Sequence, residues 1–293
     1  MKVLVTGATG YIGFHVACAL RRAGHRVQGL VRTDAKAQRL WSHEIEPIIG
    51  AMDVPDSYRS FAASAGAVVH AAVDYAGDTF RLDRQTVEVL QAAKPGKLIY
   101  TSGVWVYGST GREPADETTP TRPPIRVVKR LESERLALAS AVPAIVLRPG
   151  CVYGREGGMF GDWFGPIAGG KAPTIVGDGR NRWTLVNVDD LADGYLRAVE
   201  SVVAGETINL TDRSRETVTE MVEAACQAAG FGGPPVYQPV EEAAKSMGTF
   251  AECLALDQHV DSSKAVRTLG WQPRHGGFSD QAATYWQAWR AHQ

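Results

Sequence analysis

Three glycines near the start of the chain have the spacing of a phosphate-binding turn. Gly7, Gly10 and Gly13 follow a short β-branched run and open an amphipathic stretch. In such a setting the first glycine permits the tight turn, the second lets the backbone approach a pyrophosphate, and the third lets helix and strand pack closely. The N-terminus of the helix adds free N–H groups and partial positive charge. The motif therefore predicts a dinucleotide site, with contacts from Gly7, Thr9, Gly10, Tyr11, Ile12 and Gly13.

The end of the second predicted strand bears on which dinucleotide is bound. An acidic residue there would bind the ribose 2′-hydroxyl of NAD, but the sequence has Arg32. A guanidinium matches a 2′-phosphate in charge and in fork geometry. Arg32 therefore favours NADP over NAD as the cofactor. The alternative is a solvated arginine at a strand end, and the nearby Asp34 keeps NAD open.

The elements that must position these residues alternate between strand and helix over the first two thirds of the chain. Strands separated by helices of this length indicate βαβ units and a parallel sheet. The predicted strands are Lys2–Thr6, Arg26–Arg32, Ile45–Ile49, Ala67–Ala71, Lys97–Ser102 and Ala144–Arg148. The predicted helices are Gly13–Ala23, Asp83–Ala93 and Val127–Ala139. After Gly150, pieces rich in glycine and proline separate short elements, which indicates a smaller and less regular region.

Composition narrows the class of protein. The 293 residues are 44% hydrophobic, enough for one large domain or two intimate ones. The formal net charge is −1 and no charged tract occurs, so we expect neither a nucleic-acid nor a membrane partner. Four widely spaced cysteines, no apolar run of membrane-spanning length and no signal-peptide pattern predict a cytoplasmic protein with reduced thiols.

Several further motifs occur in an order that is specific to one family. They are Thr6–Gly13, Val68–Ala72, Tyr100–Gly108, Glu117–Pro120, Leu147–Gly154, Val186–Asp190 and Lys264–Pro273. In these motifs the chain resembles the extended short-chain dehydrogenase/reductase family, in its nucleotide-sugar epimerase and dehydratase group. The resemblance implies an α/β fold, with a doubly wound parallel Rossmann sheet and a smaller, interleaved C-terminal substrate domain. It assigns 1–165 and 186–212 to the dinucleotide-binding domain, and 166–185 and 213–293 to the substrate-binding cap.

Further cofactor contacts are predicted at the ends of the later strands and on one helix. They are Asp53, Val54, His70, Ala71, Ala72, Thr101, Arg130 and Pro149. The pair Asp189 and Asp190 matches the family's Val-x-Val-x-Asp tract, which favours a structural turn over a metal site. We therefore assign no metal, and we expect a monomer or homodimer whose partner is a small-molecule substrate.

The family's chemistry, as the resemblance implies it, is a hydride transfer assisted by a Tyr-x-x-x-Lys pair and a Ser or Thr hydroxyl. The lysine lowers the pKa of the phenol, which can then exchange a proton near neutral pH. In this chain the hydroxyl position is occupied by Gly103. With Glu134 as the anchor, the tyrosine position is Arg126 and the lysine position is Arg130.

A register shifted by one residue places Ile125 and Lys129 at the same two positions. Neither register contains a tyrosine, and the segment 109–149 contains none at all. The sequence therefore predicts that any catalysis uses another proton donor.

Three residues are the preferred catalytic candidates. Ser102 supplies a hydroxyl at the C-terminal end of a strand, where a parallel sheet presents ligands. Arg130 would bind ribose hydroxyls or stabilise a developing oxyanion, unless it belongs to an exposed basic helix face. Tyr107 carries a phenol close to the strand end, although the family pattern gives it a mostly structural role. Asp74 and Tyr75 are further candidates for a replacement acid or base.

Three functions remain open. The first is an NAD(P)-dependent oxidoreductase that acts on a small carbonyl or alcohol with an atypical proton donor. The second is an epimerase or isomerase that retains its cofactor, and the third is a non-catalytic NADP-binding sensor. The missing tyrosine and hydroxyl favour the sensor. The tract around Pro149 and the aromatic segment Met159–Phe164 favour an enzyme with a ligand pocket.

Overall fold

A seven-stranded parallel sheet forms the centre of the computed structural model, which describes residues 1–74, 78–111 and 113–293. The strands are β1 (Lys2–Thr6), β2 (Arg26–Val31), β3 (Glu46–Ile49), β4 (Ala67–His70), β5 (Leu98–Thr101), β6 (Ala144–Pro149), β7 (Cys151–Gly154), β8 (Gly157–Gly158), β9 (Thr174–Val176), β10 (Leu185–Asn187), β11 (Glu206–Leu210) and β12 (Val236–Gln238). The central order is β11-β6-β5-β4-β1-β2-β3, with every neighbouring pair parallel. The order reverses between β1 and β4, where such sheets bind ligands at the carboxyl ends of their strands.

Helices cover both faces of this sheet. They are α1 (Tyr11–Arg22), α2 (Asp34–Trp41), α3 (Arg59–Ala63), α4 (Thr79–Ala93), α5 (Arg130–Leu138), α6 (Gly161–Ala168), α7 (Val188–Glu200), α8 (Val218–Ala229), α9 (Val240–Met247), α10 (Phe250–Leu254), α11 (Ser263–Leu269) and α12 (Ala282–Arg290). Alternate residues of β1 enter opposite layers, as strand geometry requires. Val3 and Val5 join the core formed with α1 and α7, whereas Leu4 joins the core formed with α3, α4 and α5.

A second hydrophobic cluster lies outside the central sheet. It combines residues of α6, α8 and α12 with the small sheet β10-β7-β8, and it is rich in aromatic rings. The rings of Trp163 and Trp183 stack with centroids 5.2 Å apart, and those of Phe160 and Phe278 stack at 3.8 Å. Between α6 and α8 the chain returns through β11 to the edge of the central sheet beside β6. The residue limits proposed for the two domains remain a prediction.

The predicted α/β fold with a large parallel sheet is confirmed, and the bounds of the predicted strands are accurate to one or two residues. The helix predicted from residue 127 begins instead at Arg130. Tight turns precede it, in which Val127 N–H donates to Pro124 O and Arg130 N–H donates to Val127 O, both at 3.0 Å. Across the described ranges, no helix combines the length and the apolarity needed to cross a membrane.

Candidate active site

The glycine turn has the geometry of a phosphate cradle. Gly7 has a φ of +72°, and a Cβ there would lie 2.8 Å from the backbone of Ala71 and Ala72. A Cβ on Gly13 would overlap the carbonyl oxygen of Gly7, so the first turn of α1 lies directly against the turn that follows β1. Gly10 caps α1 without any side-chain hydrogen bond to its first N–H groups. Those N–H groups can therefore bind a pyrophosphate, and the turn fits a dinucleotide.

A cavity of about 680 Å³ adjoins this turn. It lies at the carboxyl ends of the central strands, where the topology predicts a ligand site. Nine of the predicted site residues line it: Gly10, Tyr11, Ile12, Gly13, Ala71, Thr101, Ser102, Arg130 and Pro149. The structure thus brings together the glycine turn, the ends of three strands and one cationic residue of α5.

The other predicted contacts lie outside the cavity wall. They are Gly7, Thr9, Arg32, Asp53, Val54, His70, Ala72 and Tyr107. Arg32 is exposed directly after β2, while Asp53 and Val54 are exposed in the segment after β3. Tyr75 lies outside the described residues, so its predicted role stays untested. The carbonyl of Asp74 accepts a hydrogen bond from the Thr79 hydroxyl at the start of α4.

His70 is buried beneath the cavity rather than exposed to it. Its Nδ1 lies 2.7 Å from Thr6 Oγ1, and its Nε2 lies 3.2 Å from Asp83 Oδ1. Tyr100 donates its hydroxyl to the second oxygen of Asp83 at 2.8 Å. Burial would raise the pKa of Asp83, but the hydrogen bond and charge interaction with His70 outweigh it and hold that pKa at about 2. The imidazole therefore links β4 to α4, and the neighbouring Ala71 reaches the cavity instead.

Tyr107 is buried in a hydrogen-bonded network of protein side chains. Its hydroxyl donates to Asn209 Oδ1 at 2.9 Å and accepts from Arg148 Nη1 at 2.8 Å. Burial raises the pKa of the phenol, and the side chain is not part of the cavity wall. The hydroxyl of Tyr107 thus both donates to and accepts from protein groups, and its predicted catalytic role stays a prediction.

Ser102 lines the cavity, but its hydroxyl is engaged. It donates to Glu134 Oε1, and Glu134 forms a two-point ion pair with Arg148. Sequence reasoning used Glu134 only as an anchor and missed this pair. The available signal was a charged residue, Arg148, at the end of an otherwise apolar strand, since a buried charge requires a partner.

Two arginines stand where the sequence register predicts the tyrosine and the lysine. Arg126 and Arg130 both line the cavity, whereas Lys129 is exposed and lies outside its wall. The register anchored on Glu134 thus matches the cavity better than the shifted one. Arg130 Nη1 donates to the carbonyl of Thr101 at 3.0 Å. The guanidinium carbon of Arg126 lies 5.1 Å from the ring centroid of Phe250.

Gly103 has space for the side chain that it lacks. Its φ of 178° is extended, and an added Cβ would find only Pro149 O within 4 Å, at 3.9 Å. The absence of a hydroxyl here therefore does not follow from crowding.

Most of the remaining wall is apolar. Sequence reasoning linked the segment that begins at Met159 to a ligand pocket, but it did not predict Phe80 or Trp105 there. Phe80 comes from the start of α4, Trp105 follows β5, and Met159 follows β8. Cys151 also lines the cavity, but burial raises the pKa of its thiol to about 12. The thiol therefore stays protonated at neutral pH and is not an activated nucleophile.

The fold and the glycine turn define a Rossmann-type dinucleotide-binding protein. The chain belongs to the NAD dependent epimerase/dehydratase family, whose model matches residues 3–211.

Relatives that span almost the whole chain carry different activities in their names. A 3-diazoavenalumate denitrifying reductase from Streptomyces is 28% identical, in an alignment that covers 96% of this chain and 98% of the reductase. A UDP-glucose 4-epimerase from Lactobacillus helveticus is 26% identical, covering 100% and 98%. The crystal structure of UDP-glucuronic acid 4-epimerase from Bacillus cereus in complex with NAD superposes with a TM-score of 0.83 at 22% identity, covering 100% and 99%. This structural likeness supports the fold.

Proposed function

We propose that this protein is an NAD(P)-dependent oxidoreductase that acts on a small electrophile, such as a carbonyl compound, without a tyrosine as proton donor. The observation that carries the proposal is the cavity beside the glycine turn. Arg126 and Arg130 line it at the positions expected for tyrosine and lysine, and Gly103 occupies the hydroxyl position. A nicotinamide dinucleotide bound at Gly7–Gly13 would supply or take up a hydride there.

The chain's own residues would bind and orient rather than donate protons. The N-terminus of α1 binds the pyrophosphate through its N–H groups. Arg130, tied to the carbonyl of Thr101, presents a fixed positive charge at the cavity. A guanidinium keeps its proton at neutral pH, so its contribution is electrostatic stabilisation and orientation of the substrate.

A site of this kind suits acceptors that take up a hydride without needing a proton from the protein. The denitrifying reductase among the relatives is named for a diazo substrate. In the reduction of a diazonium group, the hydride forms a C–H bond and dinitrogen departs with the electron pair of the C–N bond. No oxyanion is formed, so none has to be protonated. Electrophiles with such a leaving group, and conjugated acceptors that water can protonate, are therefore the preferred substrates alongside simple carbonyls.

We further propose that NADP(H) is preferred to NAD(H). Arg32 is exposed directly after β2, at the position of the ribose-binding acid. Within the described residues no ion pair involves its guanidinium, whereas the nearby Arg39 is paired with Glu156. A 2′-phosphate would supply the charge partner.

The second candidate is an epimerase that retains its cofactor, which the family and the epimerase relatives favour. Such a reaction needs a base that takes the proton of the sugar hydroxyl while the hydride leaves the carbon that carries it. The hydroxyl of Ser102 already donates to Glu134, which weighs against this candidate.

Parallel assays separate the candidates. Purified protein would be incubated with NADPH or NADH and a panel of aldehydes, ketones and aryl diazonium acids, and separately with UDP-galactose. We expect net cofactor oxidation with an equal amount of reduced product, and no UDP-glucose. Sugar interconversion without net oxidation would replace the proposal with the epimerase. Bound cofactor with neither reaction would replace it with a sensor.

A further inference from the structure

We propose that the cavity binds a flat, apolar molecule with one anionic end, such as a conjugated aromatic carboxylate, and that Arg126 binds the anion. The inference rests on the proposed function, because it names the substrate class of the same site. It follows from the charges, the engaged hydroxyls and the apolar surfaces of the cavity wall.

The charge of the wall is positive. Arg126 and Arg130 contribute two permanent cations, and the described lining contains no aspartate or glutamate. A guanidinium presents parallel N–H donors that match a carboxylate at two points. The wall therefore favours an anionic ligand over a neutral or cationic one.

The two arginines occupy different parts of the cavity. Arg130 contacts the carbonyl of Thr101 at the end of β5, on the side of the central sheet. Arg126 lies against the ring of Phe250, which belongs to α10 on the side of the aromatic cluster. Arg126 is thus placed to bind a substrate that enters between the sheet and that cluster.

Hydroxyl groups of the wall are largely committed to protein partners. Tyr11 donates to Gly154 O at 2.6 Å, and Thr101 Oγ1 accepts from Tyr195 at 2.7 Å. The hydroxyls of Thr79 and Ser102 also donate to protein oxygens. A sugar buries many hydroxyls that need partners, so this wall suits a molecule with few polar groups.

Apolar side chains complete the wall. Phe80, Trp105 and Met159 face the cavity, and the rings of Trp105 and Phe250 meet edge to face with centroids 5.8 Å apart. Aromatic and thioether groups pack favourably against a flat conjugated body. One anionic end and one planar apolar body therefore describe the ligand.

Matched probes test this inference. trans-Cinnamate carries the carboxylate, and cinnamamide keeps the same body without the charge. Each would be titrated by calorimetry into the protein, with and without saturating NADP⁺. We expect the wild type to bind cinnamate roughly 10- to 100-fold more tightly than cinnamamide, the effect of a charge-assisted contact. Equal binding of the two probes, or binding of neither, would overturn the inference without any variant.

Variants locate the anion site. Arg126→Gln should lose the preference for cinnamate and keep its affinity for cinnamamide, while Arg126→Lys should retain part of the preference. Arg135→Gln is the matched control, because Arg135 is exposed on α5 and lies outside the cavity wall. Unchanged cinnamate binding by a folded Arg126→Gln protein would reject the assignment. Since these titrations need no turnover, failure of hydride transfer would reject the proposed function and leave the anion site standing.

Discussion

Arg148 and Glu134 form a buried ion pair in which Nη2 lies 2.6 Å from Oε2 and Nε lies 2.9 Å from Oε1. The pair joins the end of β6 to α5, and it fixes the helix whose first residue, Arg130, lines the cavity. Glu134 also accepts a hydrogen bond from the hydroxyl of Ser102. One buried contact therefore sets both the position of α5 and the orientation of Ser102.

Breaking this pair should be strongly destabilising. Glu134→Gln leaves the buried guanidinium of Arg148 without its anion, which typically costs about 3–5 kcal/mol. Urea unfolding would measure the loss, with Glu132→Gln on the exposed face of α5 as the control. The double variant Glu134→Leu/Arg148→Met should lose less than the sum of its single changes. A loss for Glu134→Gln as small as that of the control would contradict this account.

Arg32→Ala should reduce affinity for NADP⁺ and leave affinity for NAD⁺ nearly unchanged. Loss of a charge-assisted contact to the 2′-phosphate corresponds to about 10- to 100-fold in the dissociation constant. Calorimetric titration of both cofactors into wild type and variant provides the measurement. Arg22→Ala is the control, because Arg22 is exposed at the far end of α1. Equal affinities of the wild type for NADP⁺ and NAD⁺ would show that Arg32 does not select the cofactor.

Gly10→Val should abolish cofactor binding in a protein that still folds. The branched side chain would occupy the space where the pyrophosphate approaches the N-terminus of α1. Gly232→Val is a suitable control, since a Cβ there meets nothing within 4 Å. Equilibrium dialysis with radiolabelled cofactor and a thermal unfolding curve would be recorded for each variant. Normal binding by folded Gly10→Val would show that the phosphate site lies elsewhere.

The sequence predicted the sheet and the glycine turn because both depend on local patterns. The β-branched run Lys2–Thr6 and the spacing of Gly7, Gly10 and Gly13 are sufficient to indicate a strand, a turn and a helix. The site beyond the turn depends on contacts between distant segments. Arg148 and Tyr107 meet Asn209 through a network that no local period encodes.

The cavity wall also depends on contacts between distant segments, which local sequence patterns do not predict. Phe80, Trp105 and Met159 come from separate segments, and each is simply an apolar residue in its local sequence. Arg126, which precedes α5, was recognisable only through the motif register anchored on Glu134, and the structure places it in the cavity wall. Residue types thus predicted part of the site, while the fold was needed to show which residues line the cavity.

Glu156→Gln should destabilise the protein at neutral pH, and this destabilisation should be smaller in acid. The hydrogen bond with His15 and the nearby charge of Arg39 lower the pKa of Glu156 from 4.5 to about 2, despite burial. The ionised form therefore stabilises the folded state above pH 4.5, and this contribution disappears as the pH falls towards 2. Urea unfolding from pH 7 to pH 3 should show a wild-type advantage of about 1–3 kcal/mol that shrinks on acidification. An advantage that stays constant over this range would contradict the assignment.

Transfer of deuterium from labelled NADPH tests the central claim most directly. NADPH carrying deuterium on one or the other face of C4 would be incubated with the protein and with conjugated carboxylates, aldehydes and aryl diazonium acids, and the products analysed by mass spectrometry. Reactions without protein and with Gly10→Val correct for direct reduction by the cofactor. We expect one deuterium per product molecule, delivered from one face only, because a nicotinamide held in a single orientation presents one face of C4 to the substrate. Absence of deuterium from every product with both labelled cofactors, in protein shown by calorimetry to bind NADPH, would contradict it.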